Sequence, residues 1–366
     1  MNIFQSPEWE QFKLATGYQK SYRIDEILIL QKNLPMGRSM LYSPKVEPNS
    51  ESEIVNDSFL ERIKEIAKNN KSIFYRLEID KPIIHDSLFV IHQNFVKSFE
   101  EMQPEHTLIL NVSKSEQDIL AGMKQKGRYN IKVADKHKIK IRKSRQIDDF
   151  YRLYAETAKR QKITHRDKQY FRALLDNLEP KGYCELFEAY VDKSQIVSTK
   201  SSDLGSGLGR DGQTNQKSEI LNSKQFNNPS RLGHRSEADT TIQQSDSSPT
   251  AQNDKNEIIL AAAIVAFYKG RATYLFGASS SEMRNLMTPY KLHWQIILEA
   301  KRRGIIEYDL FGIAPDDNLK HAWAGVTRFK KQFGGNEVKL LGSWDMIIRP
   351  TEYRIFKIAE RLRRRK

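Results

Sequence analysis

The chain has 366 residues, of which 60 are Lys or Arg and 46 are Asp or Glu, so its net charge is +14 at pH 7. This length predicts two domains, and 39% apolar residues suffice for sizeable cores. The single cysteine, Cys184, excludes an intrachain disulfide and a multi-cysteine metal site. The positive charge indicates a polyanionic partner (RNA, a nucleotide diphosphate or an anionic membrane surface) or a solvated basic surface, and charge alone leaves both interpretations open.

The sequence predicts neither a signal peptide nor a membrane-spanning helix. The first residues, MNIFQSPEWEQF, lack a basic start followed by an apolar core, so we predict no signal peptide. No run of 18 apolar residues predicts a membrane-spanning helix. We therefore expect a cytoplasmic protein.

The first hundred residues alternate between helix and strand patterns. Ser6 and Pro7 predict the start of a helix, since Ser caps helices and Pro suits the first helical position. The apolar periodicity then predicts the following elements: strands at 24–30, 40–42, 73–79 and 107–112, and a helix at 59–69.

A basic segment spans residues 122–144 and carries nine Lys or Arg side chains. Tyr129, Ile131 and Val133 would anchor it to a core, so we predict a folded basic helix and strand rather than a tail. Two interpretations stay open, namely a polyanion contact and an exposed face balanced by acids elsewhere.

Helices are predicted at 147–161 and 170–178, and a strand at 184–191. Residues 197–255 then contain one aromatic residue, Phe226, and are dominated by small polar residues. Such a composition cannot offset the entropy of ordering, so we predict a disordered insertion rather than a third domain. Similar short sequences on both sides of it predict an insertion at the turn of a hairpin between strands 184–191 and 257–268.

The stretch 274–312 predicts a strand, a polar loop, an amphipathic helix and a second strand. Pro289 suits the first turn of this helix and Gly304 its C-terminal cap. A βαβ unit of this kind commonly binds ligands at its strand ends. The chain ends in a basic amphipathic helix at 353–366, which either contacts anionic lipid or packs on the core with a solvated tail.

Several common catalytic motifs are absent from the sequence. It contains no HExxH, no GxxxxGK[ST] and no GxSxG, and its eight histidines are scattered. No glycine-rich turn follows a predicted strand in the manner of acyl-CoA acetyltransferases. These observations predict no metal and no cofactor, and indicate a basic two-domain α/β protein.

Short motifs in the chain resemble the FemABX-type peptidoglycan bridge aminoacyltransferases, and they occur in the family's order. They are Gln5-Ser6 with Trp9 and Phe12-Lys13, Arg128 to Ile131, Ile163 to Arg166, Tyr274 to Ser279, Tyr308 to Gly312, and Phe329 to Gly334. The resemblance covers nearly the whole chain except the insertion. It implies an α/β (α+β) fold of two acetyltransferase-like domains, residues 1–105 with 343–366 and residues 106–342, the second interrupted by the disordered insertion 197–255.

The resemblance also implies an activity, the transfer of an aminoacyl group from aminoacyl-tRNA to a stem-peptide amine of a peptidoglycan precursor. The precursor would be UDP-linked or lipid-linked, with no cofactor, and the enzyme a monomer, with a peripheral contact with the inner membrane surface left open. The implied catalytic residues are Lys330, which would stabilise developing negative charge, and Asp80, near the acceptor amine. The implied substrate-binding residues are Lys13, Tyr75, Arg166, Tyr170, Tyr274, Phe276 and Phe329.

Two other functions remain open at this stage. One is an N-acyltransferase of the same fold that uses a CoA or carrier donor. The other is a non-catalytic module that binds tRNA or the precursor, which would show steeply salt-dependent binding without transfer.

Overall fold

A computed structural model of the chain describes residues 2–48, 55–83, 92–161, 166–194 and 256–365. Nine α-helices lie in this part of the chain: α1 (Pro7–Ala15), α2 (Asp57–Asn69), α3 (Glu116–Gly122), α4 (Gln125–Lys136), α5 (Ile147–Gln161), α6 (Lys168–Leu178), α7 (Thr288–Arg302), α8 (Ala324–Lys330) and α9 (Pro350–Arg365). The same part contains twelve strands: β1 (Lys20–Ile24), β2 (Ile27–Leu34), β3 (Arg38–Val46), β4 (Ser72–Pro82), β5 (Phe95–Lys97), β6 (His106–Asn111), β7 (Lys140–Ser144), β8 (Cys184–Asp192), β9 (Glu257–Tyr268), β10 (Arg271–Ser279), β11 (Glu307–Gly312) and β12 (Asn336–Ile347).

The strands form one mixed sheet in the order β1-β2-β3-β4-β12-β6-β11-β10-β9-β8-β7, with β5 also paired to β12. The two halves of the sheet repeat one pattern. β2 and β3 are antiparallel, and α2 connects β3 to the parallel strand β4. β9 and β10 are likewise antiparallel, and α7 connects β10 to the parallel strand β11. The predicted α/β fold with two related halves is confirmed.

β12 joins the two halves. Asn336 to Lys339 pair with β6, whereas Leu340 to Ile347 pair with β4. The predicted boundary at residue 343 therefore falls inside a strand that both halves share. The N-terminal helix crosses between the halves as well, because Trp9 and Phe12 of α1 lie in a core with α5, α6 and β10. The division into two domains stays a prediction.

Local sequence signals explain most of the element boundaries. The Ser6 side chain accepts a hydrogen bond from the backbone N–H of Trp9 at 3.0 Å, and Pro7 opens α1, as predicted. Gly304 follows α7 with φ of 70°, a left-handed conformation that glycine adopts without a steric penalty. The predicted continuous strand at 24–30 is wrong, because Asp25 and Glu26 form a turn with positive φ between β1 and β2.

β8 and β9 pair antiparallel from Cys184–Ala266 to Asp192–Glu257, and the backbone N–H of Lys193 bonds the carbonyl of Asn256 at 2.8 Å. The predicted hairpin on which the insertion sits is thereby confirmed. The predicted disorder of residues 197–255 concerns positions outside the described residues. In the part of the chain that the structure describes, no helix combines the length and apolar character needed to cross a bilayer.

Candidate functional site

A buried cluster of cations lies where α1 meets α6, and we call it the cationic pocket. Lys13 of α1 is 7% exposed, and its ammonium lies over the rings of Trp9, Phe12, Tyr18 and Tyr170 at 5.1 to 5.8 Å. It forms no hydrogen bond or ion pair with the described residues. Burial, together with the charges of Arg166 and Lys32, lowers the pKa of Lys13 well below its usual value.

Two further cations share this pocket. The Arg166 guanidinium stacks over the Tyr170 ring at 4.2 Å, and the Lys32 ammonium lies 5.9 Å from the centre of the Tyr18 ring. Burial and the charge of Arg166 lower the pKa of Lys32 to about 8. Three cations held this closely repel one another, so an anionic ligand of high charge would relieve both the repulsion and the cost of burial.

Buried polar groups in the pocket also point to a ligand. Within the described residues, neither the Tyr170 hydroxyl nor the Trp9 indole N–H has a hydrogen-bond partner, although both side chains are buried. A buried donor that lacks a hydrogen-bond partner destabilises the folded state. The pocket therefore combines positive charge with hydrogen-bond donors that a bound diphosphate could accept from.

A row of aromatic rings leads from this pocket to the end of β11. The successive ring contacts are Tyr170 to Phe12 at 5.0 Å, Phe12 to Trp9 at 5.1 Å, Trp9 to Phe4 at 4.5 Å and Phe4 to Phe311 at 6.0 Å. Phe311 lies at the end of β11. The cationic pocket and the end of β11 are thus connected by continuous packing.

A wedge opens in the sheet at this end of β11. β10 and β11 pair only from Arg271–Glu307 to Thr273–Asp309, although β10 continues to Ser279 and β11 to Gly312. Phe311 has φ of 63° where the register of β11 against β6 shifts. The two parallel strands therefore separate at their carboxyl ends, where α/β proteins commonly bind ligands.

Lys330 lies at the end of this wedge. Its ammonium donates hydrogen bonds to the carbonyl oxygens of Gly312 at 2.6 Å and Phe311 at 3.3 Å, and lies 5.8 Å from the Tyr274 ring centre. Lys330 is fully buried, which lowers its pKa well below the usual value. Burial and the nearby Lys330 charge also lower the pKa of His293 to about 3, so this imidazole is neutral at pH 7.

Asp309 of β11 is a buried carboxylate whose charge acts on Lys330. It accepts hydrogen bonds from the Thr107 hydroxyl and, at 2.7 Å, from the backbone N–H of Phe311. Burial raises its pKa, and the charge of Arg271 opposes that rise. The Asp309 carboxylate in turn partly offsets the lowering of the Lys330 pKa.

Asp80 lies in the seam between the two halves. Its carboxylate pairs with Arg271 at 2.8 Å and Lys45 at 3.7 Å, and accepts a hydrogen bond from the Asn2 amide at 2.6 Å. The side chain is 5% exposed. Asp80 therefore joins β4 to β10, and its oxygens are engaged by fixed partners.

Tyr274 and Phe276 lie on opposite faces of the sheet, because a register shift between them breaks the alternation of β10. Tyr274 belongs to the core beneath α7, on the side of Lys330. Phe276 packs against Tyr170 and Phe171 on the other side. Gly277 permits this arrangement, since a Cβ atom there would lie 1.5 Å from the Tyr274 hydroxyl oxygen.

The remaining predicted residues are core residues. Tyr75 is fully buried between Phe59 and Phe95, and its hydroxyl donates to Ser43 at 2.9 Å. Phe329 packs on Tyr290 and other rings next to Lys330. The structure thus brings Lys13, Arg166 and Tyr170 together, and Lys330 with Tyr274, whereas Tyr75 lies apart from both groups. No cluster of three or more potential metal ligands occurs in the described ranges.

The basic segment forms α4 and β7, as predicted. The cations of β7 are paired with acids: Lys140 with Asp192, Arg142 with Glu188 and Glu257, and Lys143 with Glu299. The lysines of α4 are exposed instead, namely Lys126, Lys132 and Lys136. The backbone N–H of Lys124, just before α4, bonds the Gln332 carbonyl at 3.0 Å, so this basic helix begins close to Lys330.

Sequence reasoning missed Lys32 and Asp309. Lys32 carried a usable signal, because it shares one face of β2 with the buried residues Leu28 and Leu30. A lysine at such an inward position is unusual without a partner or a ligand. Asp309, in the apolar strand EYDLFG, carried the same kind of signal.

Comparison with known proteins decides the family. The model of the FemAB family matches residues 86–361. The chain belongs to the FemAB family. This FemAB protein is 23% identical over 396 residues to the lipid II:glycine glycyltransferase of Staphylococcus epidermidis strain RP62A, covering 100% of the chain and 92% of that relative. It is 24% identical over 388 residues to the Staphylococcus saprophyticus protein of the same name, covering 97% and 90%.

A solved structure has the same fold. The crystal structure of FemX superposes with a TM-score of 0.67 and 18% identity, covering 97% of this FemAB protein and 94% of FemX. This FemAB protein therefore shares its overall fold with FemX, and the resemblance drawn from the short motifs is confirmed.

Proposed function

We propose that this FemAB protein transfers an aminoacyl group from aminoacyl-tRNA to an amine on the stem peptide of a peptidoglycan precursor. The observation that carries the proposal is the pair of sites linked by one aromatic row. One site is a pocket of three cations and the other is a buried lysine at the wedge between β10 and β11. The names of the staphylococcal relatives support a lipid-linked acceptor and a glycyl-type transfer.

The cationic pocket would hold the diphosphate of the acceptor. Arg166 offers planar donors for phosphate oxygens, while Lys13 and Lys32 supply point charges. Tyr170 and Trp9 would donate hydrogen bonds from groups that the described residues leave unsatisfied. Burial disfavours the protonated form of the two lysines, and binding of a dianionic group should favour it again.

The wedge beside Lys330 would hold the reacting ester. The neutral acceptor amine attacks the ester carbonyl carbon of aminoacyl-tRNA, forming a C–N bond as the ester C–O bond breaks. The ribose oxygen leaves with the proton that the amine gives up, and no covalent enzyme intermediate forms. Lys330 would stabilise the negative charge that develops on the carbonyl oxygen or the leaving oxygen.

The donor would approach along α4. Its exposed lysines suit phosphates of a tRNA acceptor stem, and the start of this helix contacts Gln332, two residues after Lys330. The paired cations of β7 suit a structural role instead. This arrangement would direct the aminoacyl end of the tRNA towards the wedge.

The other predicted residues have different roles in this proposal. Asp80 is held by three partners, which favours a role in joining the halves over a role as proton acceptor. Tyr274 would contact substrate at the wedge. Contacts of Tyr75, Phe276 and Phe329 with substrate stay predictions. A peripheral contact with a membrane belongs to the same proposal, since a lipid-linked acceptor lies at a bilayer surface.

The test is a transfer assay with purified protein, each of a panel of aminoacyl-tRNAs, and UDP-linked or lipid-linked precursor. A new amide on the stem peptide, detected by mass spectrometry, is the expected result. No product with any donor and acceptor would refute the proposal. Product from an acyl-CoA in place of aminoacyl-tRNA would favour the CoA-dependent alternative, and salt-dependent tRNA binding without product would favour a binding module.

A further inference from the structure

The C-terminal helix α9 is held firmly along one face. Tyr353 packs on Phe74 with ring centres 5.3 Å apart, and its hydroxyl donates to Asp345 at 2.7 Å. Phe356, one turn later, contacts the rings of Phe74 and Phe99 at 5.3 and 6.1 Å. This face attaches the helix to the sheet, so the opposite face is fixed in a defined direction.

The opposite face carries an exposed apolar stripe. Ile355, Ile358 and Leu362 are 61%, 58% and 58% exposed. Their spacing of three and four residues places them in one row on the helix surface. Single exposed apolar residues are ordinary, but a row of large aliphatic side chains on one outward face indicates a surface that is covered in use.

The charges around this stripe are positive. Helix α9 contains six basic residues against two acidic ones. Both acids are neutralised on the inner side, since Glu352 pairs with Arg38 at 2.7 Å and Glu360 with Arg363 at 2.5 Å. Arg354 and Arg361 are exposed beside the stripe. An aliphatic row flanked by arginines matches the surface of an anionic bilayer, where apolar side chains enter the acyl boundary and cations meet lipid phosphates.

We propose that α9 docks flat on an anionic membrane surface, with Ile355, Ile358 and Leu362 inserted and with Arg354 and Arg361 at the lipid headgroups. The site for the acceptor lies next to this helix, because the charges of Arg363 and Glu360 act on Lys32 of the cationic pocket. If the proposed function holds, the docked helix brings the pocket to the level at which a lipid-linked diphosphate leaves the bilayer.

Vesicle co-sedimentation of the full chain tests the proposal. The wild-type protein should bind vesicles of phosphatidylcholine with phosphatidylglycerol, and bind phosphatidylcholine vesicles weakly. The triple variant Ile355→Ser, Ile358→Ser, Leu362→Ser should bind at least about tenfold more weakly, since three aliphatic side chains no longer insert. The double variant Arg354→Gln, Arg361→Gln should lose the preference for the anionic lipid. Because all five side chains are exposed, circular dichroism and the Tm should change little.

The matched control is Tyr129→Ser, which removes a large side chain that is 64% exposed on the basic helix α4. Equal loss of vesicle binding in this control would overturn the assignment to α9. Wild-type levels of vesicle binding in the triple variant would overturn it as well. A dimer in ultracentrifugation that the triple variant makes monomeric, with vesicle binding unchanged, would identify the stripe as a contact between copies of the chain.

A second readout separates this proposal from the proposed function. The triple variant should use a UDP-linked acceptor in solution as the wild type does, and should lose activity on a lipid-linked acceptor embedded in vesicles. A wild-type protein that binds anionic vesicles but transfers to neither acceptor would refute the function and leave the docking surface standing. Transfer to both acceptors, with equal rates for both proteins, would refute the docking surface alone.

Discussion

Lys32→Met tests whether the pocket stores an unfavourable positive charge. Burial and neighbouring cations lower the pKa of Lys32 from 10.5 to about 8 in the folded protein. Below pH 8 both the folded and the unfolded chain carry the proton, so the folded state bears the full cost of the buried charge. Between pH 8 and 10.5 the folded chain releases the proton first, and the cost declines. Stability of the wild type should therefore rise with pH across this window.

The magnitude follows from the size of the shift. One pKa unit corresponds to about 1.4 kcal/mol, so the protonated Lys32 destabilises the fold by about 3 kcal/mol at pH 7 and by about 1 kcal/mol at pH 10. Lys32→Met removes this term at both pH values, along with the packing of the lysine. Its effect on the free energy of unfolding should thus be more favourable at pH 7 than at pH 10 by about 2 kcal/mol.

Urea unfolding of wild type and Lys32→Met at pH 7 and pH 10 measures this difference, and packing losses cancel in the comparison. The control is Lys20→Met, at an exposed lysine, which should change the free energy of unfolding by about 0.5 kcal/mol or less. The same Lys32 variant should bind pyrophosphate more weakly than wild type at pH 7. If Lys32→Met changes the free energy of unfolding equally at the two pH values, the buried positive charge at Lys32 is refuted. If the variant binds pyrophosphate as tightly as the wild type, a role of Lys32 in anion binding is refuted.

Three further substitutions test the remaining parts of the site. Arg166→Ala should weaken binding of a UDP-linked precursor about tenfold or more in calorimetry, because a charge-assisted phosphate contact is lost, while turnover at saturation changes less. Lys330→Met should lower kcat by about 10²- to 10³-fold in the transfer assay and leave precursor affinity within about twofold. Gly277→Ala should lower the free energy of unfolding by about 1–3 kcal/mol and impair turnover, because the new methyl group displaces Tyr274 from beside Lys330.

Matched controls separate local from general effects. Arg172→Ala changes an exposed arginine of α6, the helix that begins after Arg166, and should leave precursor binding unchanged. Lys331→Met changes the neighbour of Lys330, whose ion pairs with Asp317 and Glu337 face solvent, and should leave kcat near the wild-type value. A wild-type kcat in Lys330→Met would remove that lysine from the mechanism. A wild-type Tm in the Gly277 variant would show that the backbone yields to the methyl group.

Sequence periodicity predicted most elements because helix and strand patterns are local. The βαβ unit at 274–312, the hairpin around the insertion and the capped start of α1 follow from short-range signals. The turn at Asp25 and Glu26 was not predicted, because neither residue is Gly or Asn, the usual residues at positive φ. The resemblance implied substrate-binding roles for Lys13, Arg166 and Tyr170 without showing that α1 packs against α6.

Side-chain directions in β10 could not be predicted in the same way. Regular alternation places Tyr274 and Phe276 on one face, whereas the register shift against β9 turns them to opposite faces. Such a shift depends on the partner strand and on the space at Gly277, so the sequence of β10 alone does not specify it. The same limit applies to Asp80, whose partner Arg271 lies 191 residues away.

The cationic pocket is built from residues of both halves of the molecule. Its geometry therefore depends on the contacts that hold the two halves together. Lys13 and Lys32 come from the N-terminal half, whereas Arg166 and Tyr170 come from the second half. A small displacement between the halves would separate the cations that, in the proposed function, contact one diphosphate together. β12 fixes the two halves in one sheet, and the ion pair between the buried Asp80 and the partly exposed Arg271 joins them near the wedge. Such a pair contributes little net stability, but an arrangement that leaves the buried Asp80 charge without a partner is costly. Its value here is therefore geometric, since it keeps β4 and β10 aligned beside the wedge.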